Sequence, residues 1–484
     1  MASKQTAKLR VLMATAEAVP FAKTGGLGDV AGTLPAALAA AGAEASVIMP
    51  AYASIGADLL SGAQLVASFD VEMPAGAKPC KVLCVQHGEV PFFLIENAEY
   101  FCRDNLYGYD DDIERFAFFS RCVCRCVAEI PQLACDVVHC NDWQTALVPV
   151  YLRTLFADEP ACAQVKTVFT IHNAQFQGQG PDWLLPQVVG LGEFAIAGTA
   201  CTLDDGSVNL MKGALTFADE LTTVSPSYAE ELTRAEYGER LDPVFRRRRP
   251  QLSGVLNGID LKTWDPANDP FIERAYCADD LSGKAACKKA LQVEMGLEVR
   301  ADRPLVAMVT RLTDQKGVGM VCEQIERLMQ RGVQLAILGT GDAGYERALA
   351  AAAATHPGQM SVALRFDNAL SHRMYAGADL LLMPSMFEPC GLSQMIAMVY
   401  GTLPVVRETG GLRDSVEPYN KYTGEGTGFS FANADANEMA DILLNACEVF
   451  WTDAKAWARL QHQAMTTDFS WTRAATDYLR IYAR

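Results

Sequence analysis

Cations, carboxylates and glycines recur along this chain in short clusters, each directly after a short apolar run. Residues 23–30 read KTGGLGDV, with Lys23 beside Gly25, Gly26 and Gly28. Glycines let a backbone turn sharply and bring N–H groups against a ligand, and a helix start favours negative charge there. The same turn can also be a plain strand-to-helix link. Asp142 follows the run 136–139, where an Asp by default caps the next helix. His172 ends the run 165–170. An imidazole at a strand end can donate or accept a hydrogen bond to a neutral polar substrate near pH 7. Arg311 and Lys316 frame RLTDQKG, a planar fork and a point charge at a helix entrance. That pair can hold a diphosphate without a metal, unless both are solvated surface cations. Glu388 sits in FEPCGL, held by Pro389 and Gly391, and suits hydroxyl recognition or stabilisation of positive charge. Thr409, Gly410 and Gly411 again precede a helix and make either an anion cradle or a tight turn.

Three further clusters invite a reading that their context weakens. Residues 339–344 (GTGDAG) follow a strand and open a helix, as a dinucleotide fingerprint would. The unit is internal, however, and Arg311 and Lys316 mark phosphate recognition elsewhere on the same sheet edge. Asp110, Asp111 and Asp112 resemble a metal-binding acidic run, but acids also favour the first turn of a helix. Cys122, Cys124 and Cys126 look like metal ligands, yet on a helix alternate residues point to different faces.

The elements that must position these residues alternate in type. Strands are expected at 9–14, 45–49, 136–139, 165–170 and 220–224, with shorter alternating strands at 65–69, 81–85 and 91–94 inserted after the second. Helices are expected at 29–41, 113–128 and 143–155. A second unit of the same kind begins after the basic stretch 246–249. Its strands are expected at 304–309, 333–338, 361–364, 380–383 and 403–406. Strands alternating with helices imply parallel sheets with right-handed crossovers. The fold class is therefore α/β, as two doubly wound domains facing a cleft. In such sheets ligands sit beyond the carboxyl ends of the strands, where the clusters above lie.

Composition fits this picture. The chain has 484 residues, too many for one hydrophobic core, and half are apolar. Its formal charge is −17, which argues against a nucleic-acid partner, since phosphate backbones demand clustered Lys and Arg. No run of apolar residues is long enough for a membrane span. The first eight residues are polar and basic and run into a stretch too short for a secretory signal. With no such signal, the fifteen cysteines read as reduced core thiols of a cytosolic enzyme, not as a disulfide frame.

Taken together, the motifs resemble one family, the bacterial glycogen synthases and plastid starch synthases. The matching segments are KTGGLGDV (23–30), NDW (141–143), FTIHN (169–173), VSP (224–226), VLNGID (255–260), RL with QKG (311–312 and 315–317), FEPCGL (387–392) and TGGL (409–412). They span nearly the whole chain in the family's order and spacing. The resemblance implies the GT-B type of fold, with Rossmann-like domains at 1–250 (acceptor side) and 251–466 (nucleotide-sugar side). It also implies a terminal helix, 467–484, that crosses back to the first domain. The activity it implies is transfer of glucose from ADP-glucose to the non-reducing end of an α-1,4-glucan, with retention and release of ADP. By match, Asp142 and His172 line the reaction site, Arg311 and Lys316 neutralise the leaving diphosphate, and Glu388 holds the glucose ring. Lys23, Gly25, Gly26, Asn257, Cys390, Gly391, Leu392, Thr409, Gly410 and Gly411 bind the donor, and Phe366 stacks on adenine. No metal and no cofactor are implied, and the location is cytoplasmic, or the plastid stroma for a plant or algal protein. The physics agrees, since a diphosphate leaving group needs cations and oriented N–H groups in a site closed to water.

Three positions depart from the family's pattern. Gln144 stands where a His usually follows Asp-Trp, and Glu239-Arg240 interrupts a stretch usually richer in glycine. Ile396 stands where broader relatives carry a second carboxylate. Two other functions compete: an NAD-dependent oxidoreductase using residues 339–344, and a non-catalytic glucan-binding relative. The second would be expected to lose at least one of Lys23, Arg311, Lys316 and Glu388, and all four are present.

Overall fold

The structure is a computed structural model that describes residues 8–484; most of the polar amino-terminal stretch, residues 1–7, lies outside them. The chain forms two compact units. One runs to Gly258 and takes in Trp471–Arg484, and the other is Ile259–Ser470. The expected boundaries at 250 and 466 fall short of these points. Leu252–Gly254 pairs with the strand Glu220–Thr223, so the chain completes its first sheet before leaving it. Phe469 accepts a backbone hydrogen bond from Ile259, which keeps it with the second unit.

Among the described residues the first unit carries eleven strands: β1 (Arg10–Ala14), β2 (Glu44–Pro50), β3 (Gln64–Val71), β4 (Lys78–His87), β5 (Val90–Glu96), β6 (Val137–Asn141), β7 (Lys166–Ile171), β8 (Gln179–Gly180), β9 (Val208–Asn209), β10 (Glu220–Thr223) and β11 (Leu252–Gly254). β8 and β9 form a separate antiparallel pair. The other nine make one sheet in the order β11-β10-β7-β6-β1-β2-β5-β4-β3. All pairings are parallel except β5-β4 and β4-β3. β6 is buried along its whole length, whereas β3 and β4 carry several exposed residues. That contrast is expected of a central parallel strand against an antiparallel edge.

The second unit holds β12 (Leu305–Val309), β13 (Gln334–Leu338), β14 (Met360–Ala363), β15 (Leu380–Met383), β16 (Leu403–Arg407) and β17 (Phe429–Phe431). They form an all-parallel sheet, β14-β13-β12-β15-β16-β17. Its strand order reverses between β12 and β15, and in the first sheet the corresponding reversal lies between β1 and β6. Doubly wound sheets bind ligands at such switch points.

Several expected bounds shift. The helix expected at 29–41 is Gly26–Ala40 and already includes two of the glycines. The helix expected at 143–155 is a 3-10 turn, Trp143–Thr145, followed by Leu147–Leu152. β8, β9, β11 and β17 were not expected, because two or three residues carry no readable period.

The closing helix Trp471–Tyr482 packs against Gly26–Ala40. Its Tyr482 hydroxyl is 2.8 Å from Nδ1 of buried His139 on β6, whose Nε2 lies 2.5 Å from the Thr170 hydroxyl on β7. Among the described residues no helix is long and apolar enough to cross a membrane.

Candidate active site

In the first unit, the ends of β1, β6 and β7 bring one group of residues together. The Asn141 side-chain amide, at the end of β6, donates to the Ala14 carbonyl at the end of β1 (3.1 Å). Its Oδ1 lies 2.9 Å from His172 Nε2, so Nε2 carries the proton and Nδ1 is an acceptor. Burial pushes the His172 pKa down to about 3, so the ring is neutral at any ordinary pH. The sequence leaves both roles of this imidazole open; the fold selects acceptance at Nδ1.

Asp142 does not cap a helix through its side chain. Its Oδ1 instead accepts from the His172 N–H (2.7 Å) and the Asn173 N–H (3.4 Å). Its backbone has φ 55° and ψ 179°, a costly conformation for a residue with a side chain. Strain of this kind collects at functional sites, where the surroundings over-determine it. Burial is the main cause that raises its carboxyl to about 7, and Glu17 adds to the rise.

Lys23 is exposed and its Nζ lies 2.7 Å from Asp29 Oδ1, so it is an ion-paired cation in this structure. The Gly25 N–H donates to Glu17 (3.1 Å), so in this structure this amide is turned inward. Gly26 opens the helix Gly26–Ala40, where first-turn N–H groups lack intrahelical partners. Asn257, in the stretch after β11, keeps its Oδ1 buried without a hydrogen-bond partner among the described residues.

In the second unit the loops after β12 and β15 are stitched together. The Met386 N–H donates to the Gln315 carbonyl (2.8 Å). Gly317 has φ 69°, and a Cβ there would stand 2.0 Å from the Pro384 carbonyl oxygen, so only glycine allows this approach. The result is a short ion pair: Lys316 Nζ lies 2.6 Å from Glu388 Oε2, with both side chains largely buried. Ser385 donates a second hydrogen bond to the same oxygen (3.1 Å). Two residues expected to act separately on diphosphate and sugar are thus in direct contact. Arg311 is exposed and, among the described residues, has no carboxylate partner.

The expected cradle at Thr409, Gly410 and Gly411 is also narrower than its sequence implies. The Thr409 N–H donates to the Arg407 carbonyl within its own loop, and the Gly411 N–H donates to the Glu388 carbonyl (3.0 Å), which ties the Glu388 loop in place. Cys390 is buried, while Gly391 and Leu392 are half-buried beside it. Phe366, between β14 and the helix Asn368–Gly377, exposes 89% of its surface and offers an open aromatic face.

Sequence reasoning missed the supports of this site. Arg407 is buried and its guanidinium donates to the Ser385 carbonyl (2.7 Å) and to Met386. Gln394 donates to the carbonyls of Cys390 (3.1 Å) and Gly391 (2.9 Å). Glu17 is a lone acid in an apolar run just after β1, a signal that could have been read as a buried functional carboxylate.

The competing clusters resolve structurally. A Cβ at Gly339 would stand 1.8 Å from the Thr310 carbonyl oxygen, and one at Gly341 2.4 Å from that of Leu312. These glycines therefore serve close backbone packing against the Arg311 loop. Asp342 caps the following helix, accepting from Gly344 N–H (2.6 Å). Asp111 pairs with Arg103 through two bonds of 2.6 Å, and Asp112 pairs with buried Arg115. Cys122, Cys124 and Cys126 are buried, and burial pushes their thiols far above the usual range. Among the described residues no group of three or more His, Cys, Asp or Glu is placed to hold a metal ion.

Comparison with known proteins adds to this geometry. Residues 10–247 match the starch synthase catalytic domain family, and residues 296–448 match glycosyl transferases group 1. A glycogen synthase of Bacillus anthracis is 43% identical over 474 residues, covering 98% of this chain and 99% of its own. That of Geobacillus thermodenitrificans is 45% identical over 478 residues, covering 98% and 97%. Among solved structures, the catalytic domain of starch synthase IV from Arabidopsis thaliana, bound to ADP and acarbose, superposes with a TM-score of 0.92. It is 35% identical and covers 99% of each chain. A sucrose-phosphate synthase from Thermosynechococcus elongatus shares the fold at a TM-score of 0.61 and 18% identity, covering 98% of each chain.

Proposed function

Because the chain belongs to the family of glycogen and starch synthases, we propose that its donor is ADP-glucose and its acceptor the non-reducing end of an α-1,4-glucan, with retention at the transferred carbon. Its fold is the GT-B glycosyltransferase fold, and it is a glycosyltransferase that moves glucosyl units. The observation that carries the donor reading is the Lys316–Glu388 pair at the switch point of the second sheet, with Arg311, which has no carboxylate partner among the described residues, on the same loop as Lys316. When the bond from glucose C1 to the diphosphate oxygen breaks, ADP leaves with the electron pair. Negative charge then grows on the diphosphate and positive charge on C1. Arg311 and Lys316 stabilise the first, and Glu388 stabilises the second. The acceptor hydroxyl bonds C1 on the face the ADP leaves and gives its proton to the departing diphosphate oxygen, so bonds and charge balance. In the first unit, neutral His172 accepts a hydrogen bond from a sugar hydroxyl at Nδ1. Exposed Phe366 supplies the stacking face for adenine. The residues need no cofactor, and the protein is expected to act in the cytoplasm or plastid stroma.

The deciding experiment incubates the protein with labelled ADP-glucose and UDP-glucose in parallel, with glycogen as acceptor, in the presence and absence of EDTA. Label should enter glycogen from ADP-glucose with the higher kcat/KM and survive EDTA. Equal use of both donors overturns the base preference, and a requirement for added Mg²⁺ or Mn²⁺ overturns the metal-free reading.

A further inference from the structure

We propose that Glu17 is a positioning residue for the donor-side loop, fixing residues 23–26 from beneath; the inference rests on the donor reading above. Glu17 is 3% exposed and follows β1 by three residues. Its carboxylate is fully occupied. Oε2 accepts from the backbone N–H of Thr24 (2.5 Å) and of Gly25 (3.1 Å). Oε1 accepts from the Thr24 hydroxyl (2.6 Å) and the Tyr107 hydroxyl (2.8 Å). All four donors are neutral, and among the described residues Glu17 has no cation within ion-pair distance, Lys23 pairing instead with Asp29.

The four hydrogen bonds offset the cost of burying this carboxylate without a counter-ion only while the loop keeps the geometry that supplies them. What the carboxylate enforces is the conformation of exposed residues. Thr24, Gly25 and Gly26 are exposed, and a glycine-rich loop there has few apolar contacts to hold it. With the Thr24 and Gly25 N–H groups turned inward onto Glu17, Gly25 is extended (φ −152°, ψ −166°) and the helix starts at Gly26. Glu17 thus sets where the helix start stands, and Tyr107 ties that arrangement to a second loop, before the helix Asp112–Glu129. Neither Glu17 nor Tyr107 has to touch the donor for this.

The role separates from a direct electrostatic one, because Gln can satisfy the same partners. Its carbonyl oxygen accepts the two N–H bonds, and its NH₂ donates to the hydroxyls of Thr24 and Tyr107, which can turn to receive it. For a positioning role, Glu17→Ala lowers kcat/KM for ADP-glucose at least about ten-fold, and Glu17→Gln restores it to within about three-fold of wild type. Tyr107→Phe, which removes one of four bonds and is the milder variant should Glu17→Ala not fold, raises KM for ADP-glucose a few-fold, roughly, with kcat little changed.

Amide hydrogen exchange on the same proteins is the second measurement. Thr24 and Gly25 should be protected in wild type and Glu17→Gln and exchange freely in Glu17→Ala, at an unchanged thermal midpoint of the second unit. Wild-type kcat/KM in Glu17→Ala, or unchanged protection of the two amides, overturns the inference. So does damage in Glu17→Gln equal to that in Glu17→Ala, which would give the charge a direct role. If wild type transfers no glucose from ADP-glucose, the donor reading fails, and the exchange pattern still decides whether Glu17 holds the loop.

Discussion

At the scale of single residues, the contact between Lys316 and Glu388 changes what their substitutions report. Lys316→Ala should lower kcat/KM at least about 10²-fold, the usual effect of removing one electrostatic stabiliser of a transition state. It also leaves a largely buried carboxylate without its cation, which should cost roughly 1–3 kcal/mol of stability in the second unit. Glu388→Gln should lower kcat strongly while ADP still binds, since ADP carries no glucose to hold. The double variant should be more stable than Lys316→Ala alone, and its activity loss smaller than the product of the two single losses. Additive effects on both stability and rate would show that the pair is not coupled. Asp142 gives a pH signature. Its carboxyl is raised to about 7 from an ordinary value near 3.8. Between those values the unfolded chain releases this proton before the folded chain does. Its contribution to stability is therefore full at low pH and falls as pH rises through that window. Asn keeps the Oδ1 acceptor for His172 and Asn173 but cannot titrate. Asp142→Asn should thus raise the unfolding midpoint more at pH 8 than at pH 5 while lowering turnover. Equal shifts at both pH values would place the carboxyl in an ordinary environment.

At the scale of elements, the departures from the family's pattern acquire physical meaning. Glu239 and Arg240 have φ values of 49° and 69°, the left-handed region that favours glycine. The turn keeps the conformation although the glycines are missing, because Gln177 donates to the Glu239 carbonyl (3.0 Å) and Arg240 pairs with Asp205 (2.6 Å). Glu239→Gly should therefore stabilise the first unit by about 0.5–1 kcal/mol, read as a higher denaturant midpoint with unchanged slope. Destabilisation would mean that the Glu239 side chain does more than tolerate its backbone. Ile396 is buried in the helix Ser393–Val399 and is core, so no second carboxylate is available at that position. Gln144 is buried with its Oε1 unpaired among the described residues, and nothing in the structure explains that choice of residue. The long central helices and strands were readable from their periods. The helix start at Gly26 was not, because glycine has low helix propensity and the bonds from Thr24 and Gly25 to the carboxylate of Glu17 help fix the turn before it.

At the scale of the whole molecule, the last fourteen residues belong to the first unit although they follow the second in sequence. Tyr482 reaches His139 on β6, and Lys166 on β7 donates to the Ile481 carbonyl (3.2 Å). A chain ending at Ser470 should lose stability in the first unit alone. Calorimetry should show its unfolding separated from, and below, a second transition that stays where it is in the full chain. A single transition shifted as a whole would show that the two units unfold together.

The sequence by itself determined the class of the fold, the approximate strand positions and the identity of the charged set. Strand and helix periods are local, and Asp142, His172 and Arg311 stand at strand ends that those periods mark, while Lys23, Lys316 and Glu388 lie in the loops that follow such ends. It could not determine strand order, and strand order decides which ends become neighbours. Placing β12 beside β15 brings Lys316 to Glu388, and placing β1 beside β6 brings Asn141 to Ala14 and so orients His172. The direction of each N–H group was equally out of reach. Glycines at 25 and 411 suggested open amides, and the fold turned both onto carboxylate or carbonyl oxygens of neighbouring loops. A composition that permits an anion site does not fix which groups face the ligand, because every buried donor must first be satisfied by its own surroundings.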